Sequence, residues 1–261
     1  MAWRENELLK GRRYEFLGAP LHCLSMEETM ELIDSAMATK RALHHVVINV
    51  AKVVGMLSNA DLRSDVCGAD LINVDGMGVV WGARLFGVPV PERVSGVDVM
   101  ERLFGLCAER GYRPFLLGAE QSVLEAVQRR LHVDYPSLVV AGMRDGYFKA
   151  DEESALISEI NASGADCLLV AMPTPKKERF LGAYRAQLSC SFVMGVGGSF
   201  DVYGGKVARA PLTLQQNGME WAYRVWQEPR RLWRRYLTTN ARFCWLMFRE
   251  TVLRRFMRAA N

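Results

Sequence analysis

The stretch "LINVDGMGVVWGARLFG", Leu71 to Gly87, decides how this chain is read. A short apolar run, Leu71 to Val74, ends at Asp75-Gly76, and residues with helical spacing follow at once from Gly78 to Phe86. A strand that runs straight into a helix is the unit of a parallel sheet. Asp-Gly is a common turn dipeptide, so Asp75 can be read as turn chemistry. It can also be read as a working carboxylate, because open α/β sheets bind ligands at the carboxyl ends of their strands.

The same unit recurs outward in both directions. "HHVVIN", His44 to Asn49, predicts a strand, and Ala51 to Asn59 a helix. Ser95 caps a helix to about Arg110. The strands Arg113–Ala119, Ser137–Gly142, Asp166–Met172 and Ser191–Gly198 alternate with helices over Gln121–Leu131, Asp151–Ser163 and Lys176–Leu188. Upstream, Ser25 and Glu28 make a capping box that opens a helix to about Thr39. Continuous apolar strands separated by helices imply a sheet covered on both faces. The expected fold is α/β, a Rossmann-like parallel sheet with helices on both faces and a helical appendage at the C-terminus.

The chain of 261 residues is half hydrophobic and 24% charged, which suits one large α/β domain and excludes global disorder. No apolar run reaches transmembrane length. "MAWRENELLKGRRYEF" is charged and has no apolar core, so it is not read as a secretory signal. The six cysteines form no C-x-x-C pair and are expected as buried reduced thiols in a cytoplasmic protein.

The net charge of +4 is unevenly spread. From Met219 to Asn261 there are ten arginines against three glutamates, a surplus of seven, so the first 218 residues carry a net −3. Four of the six tryptophans lie in this tail. The expected division is a catalytic domain over 1–211 and a basic aromatic appendage over 212–261, with a helix opening at Pro229 and a second from about Ala241. The strand–helix pattern is complete before Pro211, which predicts a core that folds without the tail. The tail reads as an interfacial anchor with arginines and aromatics at headgroup level, or as a helical pair docked on the sheet.

Several loops carry candidate chemistry. "GVGGSFD" follows a strand and offers Gly197 and Gly198 as a backbone-lined nucleotide turn, with Asp201 as an acceptor for a ribose or base. "PTPKKERF" places Lys176 and Lys177 at a helix start, a fair diphosphate site. "PERVSG" offers Arg93 in a loop before a helix. There is no Walker loop, no G-x-S-x-G elbow and no D-x-D pair. The four histidines lack metal-ligand spacing, and His44 and His45 read as structural.

Taken together, "NVDGMGVVWGARLFGVPVPERVSGVDV", "GYRPFLLGA", "DGYF", "GADCLLVAMPTPKKERF", "GVGGSFDVYGGKVARAP" and "GMEWAYRVWQEPRRLWRRYL" resemble the WecG/TagA/CpsF glycosyltransferase family from about Asn49 to Leu237. The resemblance implies an inverting, metal-independent transfer of a sugar from a UDP-sugar to a polyprenyl-diphosphate-linked saccharide, in bacterial surface polysaccharide synthesis. It needs no cofactor and takes place at the cytoplasmic face of the inner membrane, with no nucleic-acid partner. It places the general base on Asp75 and substrate contacts on Asn49, Arg93, Lys177, Asp201, Gly197 and Gly198. The tail arginines Arg224, Arg231, Arg234 and Arg235 would meet the acceptor and the membrane.

Two departures bear on the donor. Many members read T-x-N where this chain has Val47-Ile48-Asn49, and P-K-Q-E where it has Pro175-Lys176-Lys177-Glu178. The extra cation suits either a uronic acid donor or the diphosphate. A nicotinamide-dependent oxidoreductase would want a G-x-G-x-x-G turn, which "HHVVINVAKVVG" does not supply. A nucleic-acid binder would use the basic tail, but the tail aromatics follow a helical stripe and not a stacking platform.

Overall fold

In the computed structural model the described residues are Trp3 and residues 6–259; the side chains of Arg231 and of residues 257–259 lie outside the description. A hairpin of β1 (Arg13–Phe16) and β2 (Ala19–His22) comes first. Then follow α1 (Met26–Ala38), β3 (Leu43–Ile48), α2 (Val50–Met56), α3 (Ala60–Cys67), β4 (Leu71–Val74), α4 (Met77–Leu85), α5 (Gly96–Arg110) and β5 (Pro114–Gly118). The second half runs through α6 (Gln121–Asp134), β6 (Gly142–Arg144), α7 (Glu153–Ala162), β7 (Cys167–Ala171), α8 (Lys176–Tyr184), β8 (Phe192–Gly195) and α9 (Ser199–Tyr203). The tail is α10 (Leu212–Gln216), α11 (Glu220–Gln227) and α12 (Pro229–Ala259).

Six strands form one parallel sheet in the order β4-β3-β8-β7-β5-β6. Every residue of β3 is buried, as a strand covered on both faces requires. Its side chains alternate. Leu43 and Val47 pack in one layer with α1, α5, α6 and α9; Val46 and Ile48 pack in the other with α2, α3 and α4. The helix after β3 therefore lies on one face and the helix after β8 on the opposite face. β3 and β8 are neighbours, so their carboxyl ends form the kind of crevice in which open α/β sheets bind ligands.

Local chemistry agrees with the sequence where short-range signals decide. At the start of α1, the Glu28 N–H donates to Ser25 Oγ (3.2 Å) and the Ser25 N–H to Glu28 Oε2 (2.8 Å), which completes the capping box. His45 Nε2 is hydrogen-bonded to Asn73 Oδ1 (2.8 Å), and Asn73 Nδ2 donates to Thr29 Oγ1 (3.1 Å), so these buried groups tie β3, β4 and α1 together. Burial lowers His45 to about 3 and His44 to about 4, so both are neutral near pH 7. All six cysteines are free; Cys23, Cys107, Cys167 and Cys190 are buried, and Cys244 is exposed.

The structure departs from the expected elements at β6 and in the tail. The strand expected over Ser137–Gly142 forms instead over Gly142–Arg144. Gly142 pairs with Phe115, and a Cβ there would sit 2.5 Å from the Phe115 ring, so the pairing needs a glycine at that position. The two helices expected after Pro229 are one continuous helix of 31 residues. The polar pair Thr238-Thr239 does not break it, because their hydroxyls donate to the carbonyls of Arg234 (2.8 Å) and Arg235 (2.7 Å) one turn back.

This helix divides its apolar residues between two sides. Leu232, Phe243 and Leu246 are buried, and the last two join the cluster that holds Phe16, Val79 and Ala83. Met247 packs over Gly82, where a Cβ would meet its sulfur at 3.0 Å. Trp233, Leu237, Phe248 and Phe256 face outward and are exposed. No described helix is long and apolar enough to cross a membrane.

Candidate active site

Asp75 follows the last residue of β4. Its N–H donates to Ile48 O (2.8 Å), so pairing with β3 continues until the chain turns away at Gly76. A Cβ at Gly76 would lie 3.3 Å from Asn49 Cβ and 3.4 Å from its Cα, a close approach that a side chain would crowd. Asn49 ends β3 and caps α2, its Oδ1 accepting from the Lys52 N–H (3.0 Å). Asn49 and Asp75 thus stand side by side at the ends of adjacent strands. The N-terminus of α5 approaches Asp75, where a Cβ at Gly96 would lie 3.9 Å from the carboxylate, and its backbone N–H lowers the Asp75 pKa.

Arg93, in the loop before α5, is held among acids. Its Nη1 lies 2.9 Å from Glu220 Oε2 and 3.7 Å from Asp75 Oδ1; its Nη2 lies 3.7 Å from Asp98 Oδ2 and 3.4 Å from Gln215 Oε1. Asp98 also pairs with Arg209, and Glu220 Oε1 receives Arg224 Nη2 (3.0 Å). Burial raises the Asp75 pKa above the ordinary carboxylate value; Arg93 opposes the rise, Glu220 adds to it, and Arg224 and the Gly96 N–H oppose it. A carboxylate of raised basicity that keeps 26% of its side chain exposed can take a proton from a bound hydroxyl.

The tail supplies the facing wall. Gln215, Glu220, Trp221, Arg224, Arg235, Tyr236 and Asn240 line one cleft together with Asn49, Asp75, Gly76 and Arg93. The structure therefore brings Asp75, Asn49, Arg93, Arg224 and Arg235 together. Arg234 points elsewhere, over the Trp233 ring at 5.3 Å, and the Arg231 side chain lies outside the described residues.

The other candidates lie apart from this cleft. Gly197 takes a left-handed backbone (φ 55°) after β8, Gly198 precedes α9, and Asp201 on α9 approaches Lys206 (3.9 Å). The Gly197 N–H donates to Val170 O (3.3 Å), so this turn stands at the carboxyl ends of β8 and β7. Lys177 is buried. Its Nζ bonds Glu178 Oε1 (2.8 Å) and Thr174 Oγ1, and Lys52 Nζ reaches the same Glu178 oxygen (2.8 Å). Lys52 also donates to Val47 O (2.7 Å). The pair "KK" that reads as a helix-start diphosphate site thus sends Lys177 inward, into an ion triad that clamps α2 to α8.

Sequence reasoning missed Glu220, Lys52 and Glu178. For Glu220 the usable signal is an acid among few in an arginine-rich tail, four residues before Arg224. The other two read as ordinary polar residues of helix first turns.

Fold and site together define a parallel α/β protein with a basic carboxylate at a strand end, facing an arginine cluster. The chain belongs to the glycosyl transferase WecG/TagA/CpsF family, whose model matches residues 14–256. It is accordingly a glycosyltransferase of the type that acts in cell-surface polysaccharide synthesis.

Proposed function

We propose that the protein moves a sugar from a UDP-sugar to a polyprenyl-diphosphate-linked saccharide, with inversion at C1 and without a metal, while held peripherally at the cytoplasmic face of the inner membrane. The observation that carries the reading is Asp75, raised in basicity, beside Arg93 and Arg224 in a cleft walled by the tail. In a single displacement the acceptor oxygen forms a bond to C1 as the bond from C1 to the diphosphate oxygen breaks. The hydroxyl proton passes to Asp75, and UDP leaves with the bonding pair. One base and one displacement give inversion.

Guanidinium groups at the developing negative charge supply electrostatic stabilisation. The donor nucleotide would lie along the β3–β8 crevice, against Asn49 and the Gly197-Gly198 turn, with Asp201 as a hydrogen-bond acceptor. The exposed side of α12 supports the membrane contact. Trp233, Leu237 and Phe248 are spaced as one helical stripe, Trp245 and Phe256 lie beside it, and Arg234, Arg242 and Arg249 flank them.

The test is UDP release across a panel of UDP-sugars with a lipid-diphosphate saccharide acceptor, followed by NMR of the product's anomeric proton. Inverted product formed only by the wild type, and not by Asp75→Asn, supports the reading. Retained configuration, or equal turnover by both, overturns it.

A further inference from the structure

We infer that Glu220 is a built-in stand-in for a phosphate oxyanion: it fills a fork made by Arg93 and Arg224, and by filling it keeps Arg93 from pairing closely with Asp75. The inference deepens the reading of Asp75 as the base and rests on it in part. The binding half of its test stands without that reading.

The geometry is that of an occupied anion site. Each oxygen of Glu220 takes a different guanidinium, Oε2 at 2.9 Å from Arg93 Nη1 and Oε1 at 3.0 Å from Arg224 Nη2. Arg93 reaches the other two acids only at 3.7 Å, longer than a direct hydrogen bond. A diphosphate, with more charge and more acceptor oxygens than one carboxylate, matches a fork of two guanidiniums better. Glu220 sits on the tail wall of the cleft and is not sealed in; its side chain is 19% exposed. An arriving anion can displace it without disturbing the sheet.

The charges around the pair set the pH consequence. Asp75 faces Arg93 from the preceding loop, the Gly96 N–H from α5, and Glu220 and Arg224 from α11, while Arg235 of α12 lines the same cleft. Glu220 raises the proton affinity of Asp75 and Arg93 lowers it. In Glu220→Gln the free enzyme loses the raising charge and releases Arg93 toward Asp75, so the Asp75 pKa falls. A bound diphosphate neutralises Arg93 again. The acid limb of kcat/KM, which reports the free enzyme, should move to lower pH, and that of kcat should stay. A merely structural Glu220 would stay in place on binding, and its loss would move both limbs alike.

The experiment is calorimetric titration of the full-length protein with inorganic pyrophosphate at fixed salt. Glu220→Gln should bind about tenfold more tightly than the wild type, since the competing charge-assisted bonds are gone. Glu220→Asp, whose shorter carboxylate spans the fork poorly, should fall between them. Equal or weaker binding by Glu220→Gln overturns the inference. Should that variant fail to fold, Glu220→Asp decides, and equal or weaker binding by it overturns the inference too. Tighter pyrophosphate binding without transfer from any UDP-sugar would instead sink the proposed reaction and leave the fork standing.

Discussion

Two clusters of opposite charge lie near the carboxyl edge of the sheet, and they differ in what reaches them. Around Arg93, acids and arginines alternate in a cleft that solvent enters; Asp75 keeps 26% of its side chain exposed and Glu220 19%. Around Glu178, two lysines share one carboxylate oxygen in a place that solvent does not reach; Glu178 is 2% exposed. Both would look alike in a list of ion pairs. The open cluster can exchange partners at modest cost, because water covers each charge as it moves. The buried one cannot, because a separated charge there has nothing to solvate it. Exposure, more than charge, separates a working site from a clamp.

The largest effect that sharpens this contrast is Asp75→Asn. It keeps size and hydrogen bonding and removes basicity, so transfer should fall about 10²–10⁴-fold in a UDP-release assay, with nucleotide binding held within a few-fold. Near-normal turnover would remove Asp75 from the chemistry.

Next is Glu178→Gln, which leaves Lys52 and Lys177 buried together. Chemical denaturation should show a loss of about 3–5 kcal/mol. A loss below 1 kcal/mol, the surface-pair range, would break the distinction between clamp and site. Phe243→Ala should cost about 3 kcal/mol, because its ring is buried in the cluster around Phe16 and Val79. Unchanged stability would mean that the inner side of α12 does not contribute to the core.

Smaller again is Arg234→Ala, which removes one outward cation. Its affinity for anionic vesicles should drop by about 1 kcal/mol in a sedimentation assay, and the difference should vanish at high salt. The last effect is on slope. Burial and Lys52 lower Lys177 to about 8 from an ordinary 10.5, so the unfolded chain binds that proton more tightly. Stability should therefore rise with pH between these values. Lys177→Gln should flatten that rise, and an unaltered slope would place the titration elsewhere. Glu178, held at about 2 against burial by its two lysines, acts at the other end, and its contribution is lost as pH falls from 4.5 toward that value.

What the sequence made legible follows the range of the interactions. Asp75, Asn49 and the capping box at Ser25 are decided within a few residues, by strand end, glycine and cap, and each sits where the pattern put it. Glu220 reaches Arg93 only because α10 and α11 bring the tail back over the ends of β3 and β4, and no local pattern encodes that return. Lys52 and Glu178 look like solvated first-turn residues until α2 and α8 are seen in contact through them. The unbroken α12 hid behind Thr238-Thr239, where side chains that usually weaken a helix bond back into it.

The division of α12 into a core-facing side and an outward aromatic side has a thermodynamic consequence. Phe243 and Leu246 fix the helix in place, and Trp233, Leu237 and Phe248 of the same rod are free to meet a lipid surface. A surface that binds the docked helix and not the unfolded chain acts as a ligand of the native state and stabilises it by mass action. The melting temperature should then climb with vesicle concentration. For this protein, thermal stability would become a gauge of how much membrane is present.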